Sequence, residues 1–186
     1  LVHEARHAVQ YNRLGKDSVY NEYDMNTQVR LNGAMEADAQ VFAFQAAKEF
    51  EKIGDMGPLK ALDKSSPFLL NAYCREKATE DFQDGSDKSR TVLFKSFFDS
   101  KKRMASYEDA YINNEILSTF SKSLTNGKVS EEEKKCTLTT AQIASFTCGE
   151  YMSNAVSFID SENVTSLTKK TKNILEIASS ALGRDV

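Results

Sequence analysis

His3 and His7 are the only histidines in a chain of 186 residues. They stand four apart with Glu4 directly after the first, so His3-Glu4-Ala5-Arg6-His7 reads H-E-x-x-H. Residues four apart on a helix lie one above the other, so both imidazoles face the same way and can bind one zinc ion. Glu4, beside the first histidine, is placed to take a proton from a zinc-bound water. The pattern has only three fixed positions, and the competing interpretation is a surface helix that happens to carry two histidines. The flanks argue against that. Val2, Ala5 and Val9 form one apolar side, while His3, His7, Gln10 and Leu14 share the opposite one. A helix covered on both sides can hold a metal against a core, whereas a surface helix shows one apolar stripe.

A catalytic zinc site takes three protein ligands and keeps one position open. With no third histidine, a carboxylate must complete the set. Glu36-Ala37-Asp38-Ala39 offers two, which point to nearly opposite flanks of a helix, so one metal cannot take both. Glu36 shares its flank with Ala39 and Ala43, small enough to admit a second helix. Asp38 shares its flank with the bulkier Leu31 and Phe42. The spacing therefore favours Glu36 as the ligand, although most glutamates are solvated helix residues. Asp38 is left to orient His7 or to cap nearby backbone. A peptidase also needs a donor for the oxyanion of its tetrahedral intermediate. Tyr20, Tyr23 and Arg30 lie between the two metal-bearing segments and are the candidates, each equally readable as a core-edge aromatic or a solvated arginine.

His3-Glu4-x-x-His7 followed by Glu36 on a second helix resembles the Glu-zincin metallopeptidases. More narrowly, Leu1-Val2-His3-Glu4-Ala5-Arg6-His7-Ala8-Val9-Gln10 with Glu36-Ala37-Asp38-Ala39 is similar to a little-characterised group of bacterial proteins read as metallopeptidases, with "HELRHAxQ" and then "EADA". Glu36-x-x-Ala39-x-x-Phe42-Ala43 also resembles the third-ligand helix of the ImmA/IrrE-like peptidases. The specific likeness covers the N-terminal fifty or so residues. It implies zinc held by His3, His7 and Glu36, with Glu4 as general base and acid. Many Glu-zincins carry an aspartate four residues after the ligand glutamate. Gln40 stands there in this chain and cannot polarise an imidazole as a carboxylate does.

The elements that must position these groups are helical. The apolar spacing predicts a helix over residues 2–14, closed by Gly15. A second runs over residues 25–53 and ends at Gly54, with Leu31, Met35, Ala39, Phe42, Ala46, Phe50 and Ile53 as its stripe. Pro58 opens a short helix, and Ser66-Pro67 opens one running towards Phe82. Asp84-Gly85-Ser86-Asp87 reads as a turn. Leu93, Phe94, Phe97 and Phe98 make a dense apolar face. Ser106, with Asp109 three residues on, predicts the cap of a helix presenting Ala110, Leu117, Phe120 and Leu124. Glu131-Glu132-Glu133-Lys134-Lys135 reads as a solvated charge run. Thr139 or Thr140 caps a helix continuing through Ile143, Cys148 and Tyr151 towards Ile159. A last helix carries Val164, Leu167, Thr171, Ile174, Leu175, Ala178 and Leu182. The expectation is an all-α array of about seven or eight helices, with a zincin-like two-helix metal site at its N-terminal end.

The length suits a single metallopeptidase-like domain over residues 1–186. A 40% hydrophobic and 27% charged composition is ordinary globular usage. A net charge of −3 with no basic patch excludes a nucleic-acid footprint, and no apolar run approaches a membrane span. Cys74, Cys136 and Cys148 have no C-x-x-C spacing and make no disulfide framework. The chain opens without Met inside the motif helix, so a longer, N-terminally truncated parent is expected, either cytoplasmic or an exported effector. The function expected is a zinc-dependent peptidase acting on a protein or peptide. The alternative is a non-catalytic helical interaction module on a metallopeptidase scaffold.

Overall fold

The computed structural model describes residues 1–15, 23–79, 83–114, 117–118 and 136–182, and among them every regular element is helical. The first elements are α1 (Val2–Leu14), α2 (Met25–Lys52), α3 (Gly57–Ser65) and α4 (Pro67–Lys77). They are followed by α5 (Asp87–Asp99) and α6 (Lys101–Tyr107), which runs into a π-helical turn, Glu108–Asn113. After Thr139 come α7 (Thr140–Phe146), a 3-10 turn (Cys148–Glu150), α8 (Ala155–Ile159), α9 (Glu162–Thr165) and α10 (Lys169–Leu182). Eight of these ten α-helices are seven residues or longer, in keeping with the all-α expectation.

The axis of the array is α2. Asp24 caps it by accepting from Thr27 N and Oγ1 at 3.0 and 2.6 Å. From Thr27 to Val41 every residue except Arg30 is buried, so this stretch is enclosed all round by α1, α5, α7 and α9. That is more than the single stripe expected, and it puts Gln28, Asn32, Glu36, Asp38 and Gln40 inside. The last two stripe positions do the opposite: Phe50 and Ile53 face solvent, because α2 outruns the helices packed on it. Gly33 does not weaken the helix here. A Cβ at that position would meet the Phe98 ring at 3.2 Å, so glycine is what lets α5 lie close against α2. The aromatic face on α5 is buried as expected, with Phe94 and Phe97 completely inaccessible.

Four expectations are corrected. The helix α1 is covered on one side only: Val2, Ala5 and Val9 face solvent, and the buried face is Arg6 and Gln10 with the half-buried histidines. Ser106 is not a cap but lies within α6, bonding Lys102 O at 3.1 Å, while Ser100 caps by accepting from Arg103 N. The π-helical turn then adds a residue to the repeat and rotates the buried face. Tyr107, Glu108, Ile112 and Asn113 point inward, and Ala110 and Leu117 outward. Phe120, Leu124 and the 131–135 charge run lie outside the described residues. Thr139 does form a capping box with Gln142, but its helix stops at Phe146 rather than reaching Ile159. The last helix is broken at residues 166–168, where Thr168 starts α10 afresh: its N and Oγ1 donate to the buried Glu108 carboxylate at 2.9 and 2.6 Å. An acid at a helix N-terminus suits the helix dipole. No helix of the described residues is long and apolar enough to cross a membrane.

Candidate metal centre

The ring nitrogens of α1 and one carboxylate of α2 converge. His3 Nε2 and His7 Nε2 are 3.1 Å apart, with their rings edge to face. Glu36 Oε1 lies 3.3 Å from His7 Nε2, and Glu36 Oε2 lies 3.6 Å from His3 Nε2. Among the described residues this trio is the one histidine, cysteine and carboxylate cluster with metal-ligand spacing. The donor set can be tested for fit. Ligand atoms at about 2.0–2.1 Å from a tetrahedral zinc stand about 3.3 Å from one another; the two ring nitrogens are close to that separation, each histidine meets a different oxygen of Glu36, and one atom from each of the three residues can be chosen with all three within 4.8 Å.

Tautomers make the same point. Gln10 Nε2 donates to Met35 O at 3.1 Å and to Asp38 Oδ2 at 2.7 Å, so its Oε1 is the atom facing His7 Nδ1 at 2.8 Å. The imidazole must then carry its hydrogen on Nδ1, which leaves Nε2 with a bare lone pair directed at Glu36 and His3. Lone pairs of an imidazole and a carboxylate at this distance need a cation between them, a metal ion or a proton. Without metal, protons supply it. Burial opposes the charged form of His7, but the Glu36 carboxylate and the Gln10 carbonyl outweigh burial and raise its pKa. Burial likewise opposes ionisation of Glu36, and His7, His3 and Arg103 override it, so its pKa is lowered. His3 goes the other way: burial, with His7 and Arg103, lowers its pKa despite Glu36.

Behind the centre sits Asp38, fully buried. Arg6 Nε and Gln10 Nε2 each donate to its Oδ2 at 2.7 Å, and the Tyr151 hydroxyl donates to its Oδ1 at 2.9 Å. The Arg6 guanidinium also lies 3.7 Å over the Phe42 ring. Burial, and next the Asp38 charge, push the Tyr151 phenol well above its ordinary pKa, so it stays protonated and donates. The chain of contacts runs Tyr151–Asp38–Gln10–His7, and it fixes the ring of one histidine from the core side. Asp38 thus reaches His7 through Gln10 rather than directly.

In front lies a cavity of about 230 Å³ lined by His3, His7 and Glu36, with Glu4, Tyr11, Asn32, Met35, Arg103 and Tyr107 around them. Glu4 is exposed at its edge, one residue along α1 from His3. The other sequence candidates lie elsewhere. Gln40 is buried in α2, away from the cavity lining. Tyr23 is buried beside Cys136, where its carbonyl accepts from Gln28. Arg30 pairs with Asp160 at 3.5 Å. Tyr20 lies outside the described residues. Sequence reasoning did not single out Tyr11, Arg103 and Tyr107. Tyr11 follows His7 by four residues and so shares its face, which the spacing alone could have shown. Arg103 and Tyr107 share a face of α6, but nothing local ties α6 to α1. Cys148 is the one buried cysteine among the described residues, and burial pushes its thiol up to about 12, which leaves it inert as a nucleophile.

The model of the family described as "Putative metallopeptidase family (DUF6782)" matches residues 1–141. No curated protein and no solved structure matches the chain.

Proposed function

The chain belongs to this metallopeptidase family, and from that premise we propose that it is a zinc-dependent peptidase in which His3, His7 and Glu36 hold the metal and Glu4 is the general base. The observation that carries the proposal is the convergence of two histidine nitrogens and one carboxylate at separations of 3.1–3.6 Å, beside a cavity with a second carboxylate at its edge. When bound, zinc supplies a Lewis acid for the scissile carbonyl and lowers the pKa of the attacking water.

The chain's own residues do the rest. Gln10 holds His7 with its Nε2 free, and Asp38 holds Gln10. Glu4 accepts the proton of the attacking water and returns it to the leaving amine nitrogen as the C–N bond breaks. The half-buried ligand set borders a cavity of about 230 Å³, and the substrate proposed for it is a protein or peptide.

Incubating the zinc-loaded chain with a mixed peptide library and reading cleavage by mass spectrometry tests this. Cleavage should stop with a chelator. It should fall about 10²–10⁴-fold in Glu4→Gln while the zinc content stays the same. Equal cleavage by parent and Glu4→Gln would remove Glu4 from the chemistry, and loss of zinc in that variant would make it a ligand instead.

A further inference from the structure

An oxyanion needs a donor, and of the candidates between the two metal-bearing segments the described ones, Tyr23 and Arg30, are not placed to supply one. Tyr23 and Arg30 lie away from the cavity. Arg103, on α6, is the one guanidinium among the described residues that lines the cavity. Its Nη2 is 3.6 Å from Glu36 Oε2. That separation is too long for a hydrogen bond. Its Nε is buried with no hydrogen-bond partner among the described residues. The guanidinium lies 5.8 Å from the Phe97 ring centroid, on the fully buried aromatic face of α5, and its backbone N donates to the cap Ser100. The guanidinium thus lies near the Phe97 ring and pairs with Glu36 without a hydrogen bond between them.

A permanent cation beside a metal-binding carboxylate is unfavourable for metal binding, because it competes with the metal for the same negative charge. Its place in the cavity makes sense if a second anion forms there. Resting on the peptidase reading above, we propose that Arg103 is a catalytic residue that binds the oxyanion of the tetrahedral intermediate. Water oxygen bonds to the scissile carbonyl carbon, and the carbonyl π pair moves onto oxygen. The water proton goes to Glu4, and Arg103 N–H groups donate to the new alkoxide. On collapse the C=O re-forms, the C–N bond breaks, and the proton passes from Glu4 to the amine. Arg103 gains most when charge has built up on oxygen, so it acts on the transition state more than on bound substrate.

Arg103→Gln and Arg103→Lys separate this role from support of Glu36. For each, zinc affinity is measured by chelator competition. The affinity of the zinc-loaded chain for a phosphinic peptide, whose tetrahedral anion mimics the intermediate, is measured by calorimetry, and kcat and KM come from a cleaved library peptide. Arg103→Gln should keep or tighten zinc affinity, lower kcat about 10²–10³-fold with KM nearly unchanged, and weaken the phosphinate by a similar factor. Arg103→Lys, with charge but no planar fork, should recover part of the phosphinate affinity. Loss of zinc affinity in Arg103→Gln would show that Arg103 serves Glu36, and unchanged kcat and phosphinate affinity would show that it serves nothing in the cavity. Either result overturns the proposal. If the parent cleaves no peptide, the peptidase reading fails. Phosphinate affinity that is still lost in Arg103→Gln would then uphold Arg103 as the anion-binding group.

Discussion

Replacing Asp38 and Glu36 separately by alanine distinguishes the carboxylate that holds the fold from the one that holds the metal. Asp38 is 0% exposed and accepts from the Arg6 guanidinium, the Gln10 amide and the Tyr151 hydroxyl. Asp38→Ala strands a cation that is itself only 7% exposed, together with two neutral donors. Removing one partner of a buried ion pair costs about 3–5 kcal/mol. Stranding the two neutral donors raises that figure by less than a sum would suggest, since all three share one acceptor. Against a total stability of about 5–15 kcal/mol the loss is severe. With a urea slope of about 2–3 kcal/mol/M, the unfolding midpoint should drop by about 1–2.5 M. Glu36 is different. Its carboxylate faces half-buried histidines and Arg103, so the chelated chain loses little when it is removed. Free zinc at a thousand times Kd adds about 4 kcal/mol to a chain that binds it only when folded. Glu36→Ala should lose most of that increment, and Asp38→Ala should keep most of it. Urea curves by circular dichroism, each in chelator and in excess zinc, show both effects. If Asp38→Ala keeps its midpoint in chelator but loses the zinc increment, the two roles are reversed and the ligand set is wrong.

Two further outcomes follow from the same geometry. Gln10→Leu removes the group that fixes the His7 tautomer and should weaken zinc about 10–100-fold in chelator competition, with the helical signal retained; unchanged affinity would mean the Gln10–His7 contact is incidental. Zinc affinity should fall as pH drops from about 8 through about 6.5, because His7, whose pKa Glu36 and Gln10 raise against burial, must lose its proton to bind. In the metal-free chain the sign is opposite: a raised histidine pKa contributes stability present below about 6.5 and lost as pH rises through the folded value. Midpoints in chelator should therefore lose that contribution over the same pH rise in which the zinc increment grows, and a zinc increment flat with pH would remove the histidines from the ligand set.

What was legible in the sequence was what depends on local period. The bounds of α1, its stop at Gly15, the long α2 and the aromatic face of α5 all follow from spacing and caps. So does the meeting of His3 and His7, because one helical turn sets it. Glu36 was reached by elimination and by the size of its neighbours, and it is the carboxylate that faces the histidines. Several of the failures share a cause, a dependence on partners far along the chain. Val2 and Val9 look like a buried flank, but both remain exposed. Asp38 looked like a minor second carboxylate until Tyr151, 113 residues later, arrived beside it. Glu108 breaks the last helix from 60 residues away by binding Thr168. The π-helical turn, which has no simple sequence signature, rotated the face expected after Ser106. Arg103 reaches the cavity only because α5 and α6 fold back past the aromatic core, and no window of sequence contains that.

The central claim is a metal centre built from His3, His7 and Glu36, and its most direct measurement is metal content per chain by elemental analysis, after purification without added metal and again after zinc reconstitution. The account predicts about one zinc per chain in the parent, as a three-ligand site requires, and close to none in Glu36→Ala. A parent chain that holds no transition metal even after reconstitution, or a Glu36→Ala variant that holds as much as the parent, would contradict it.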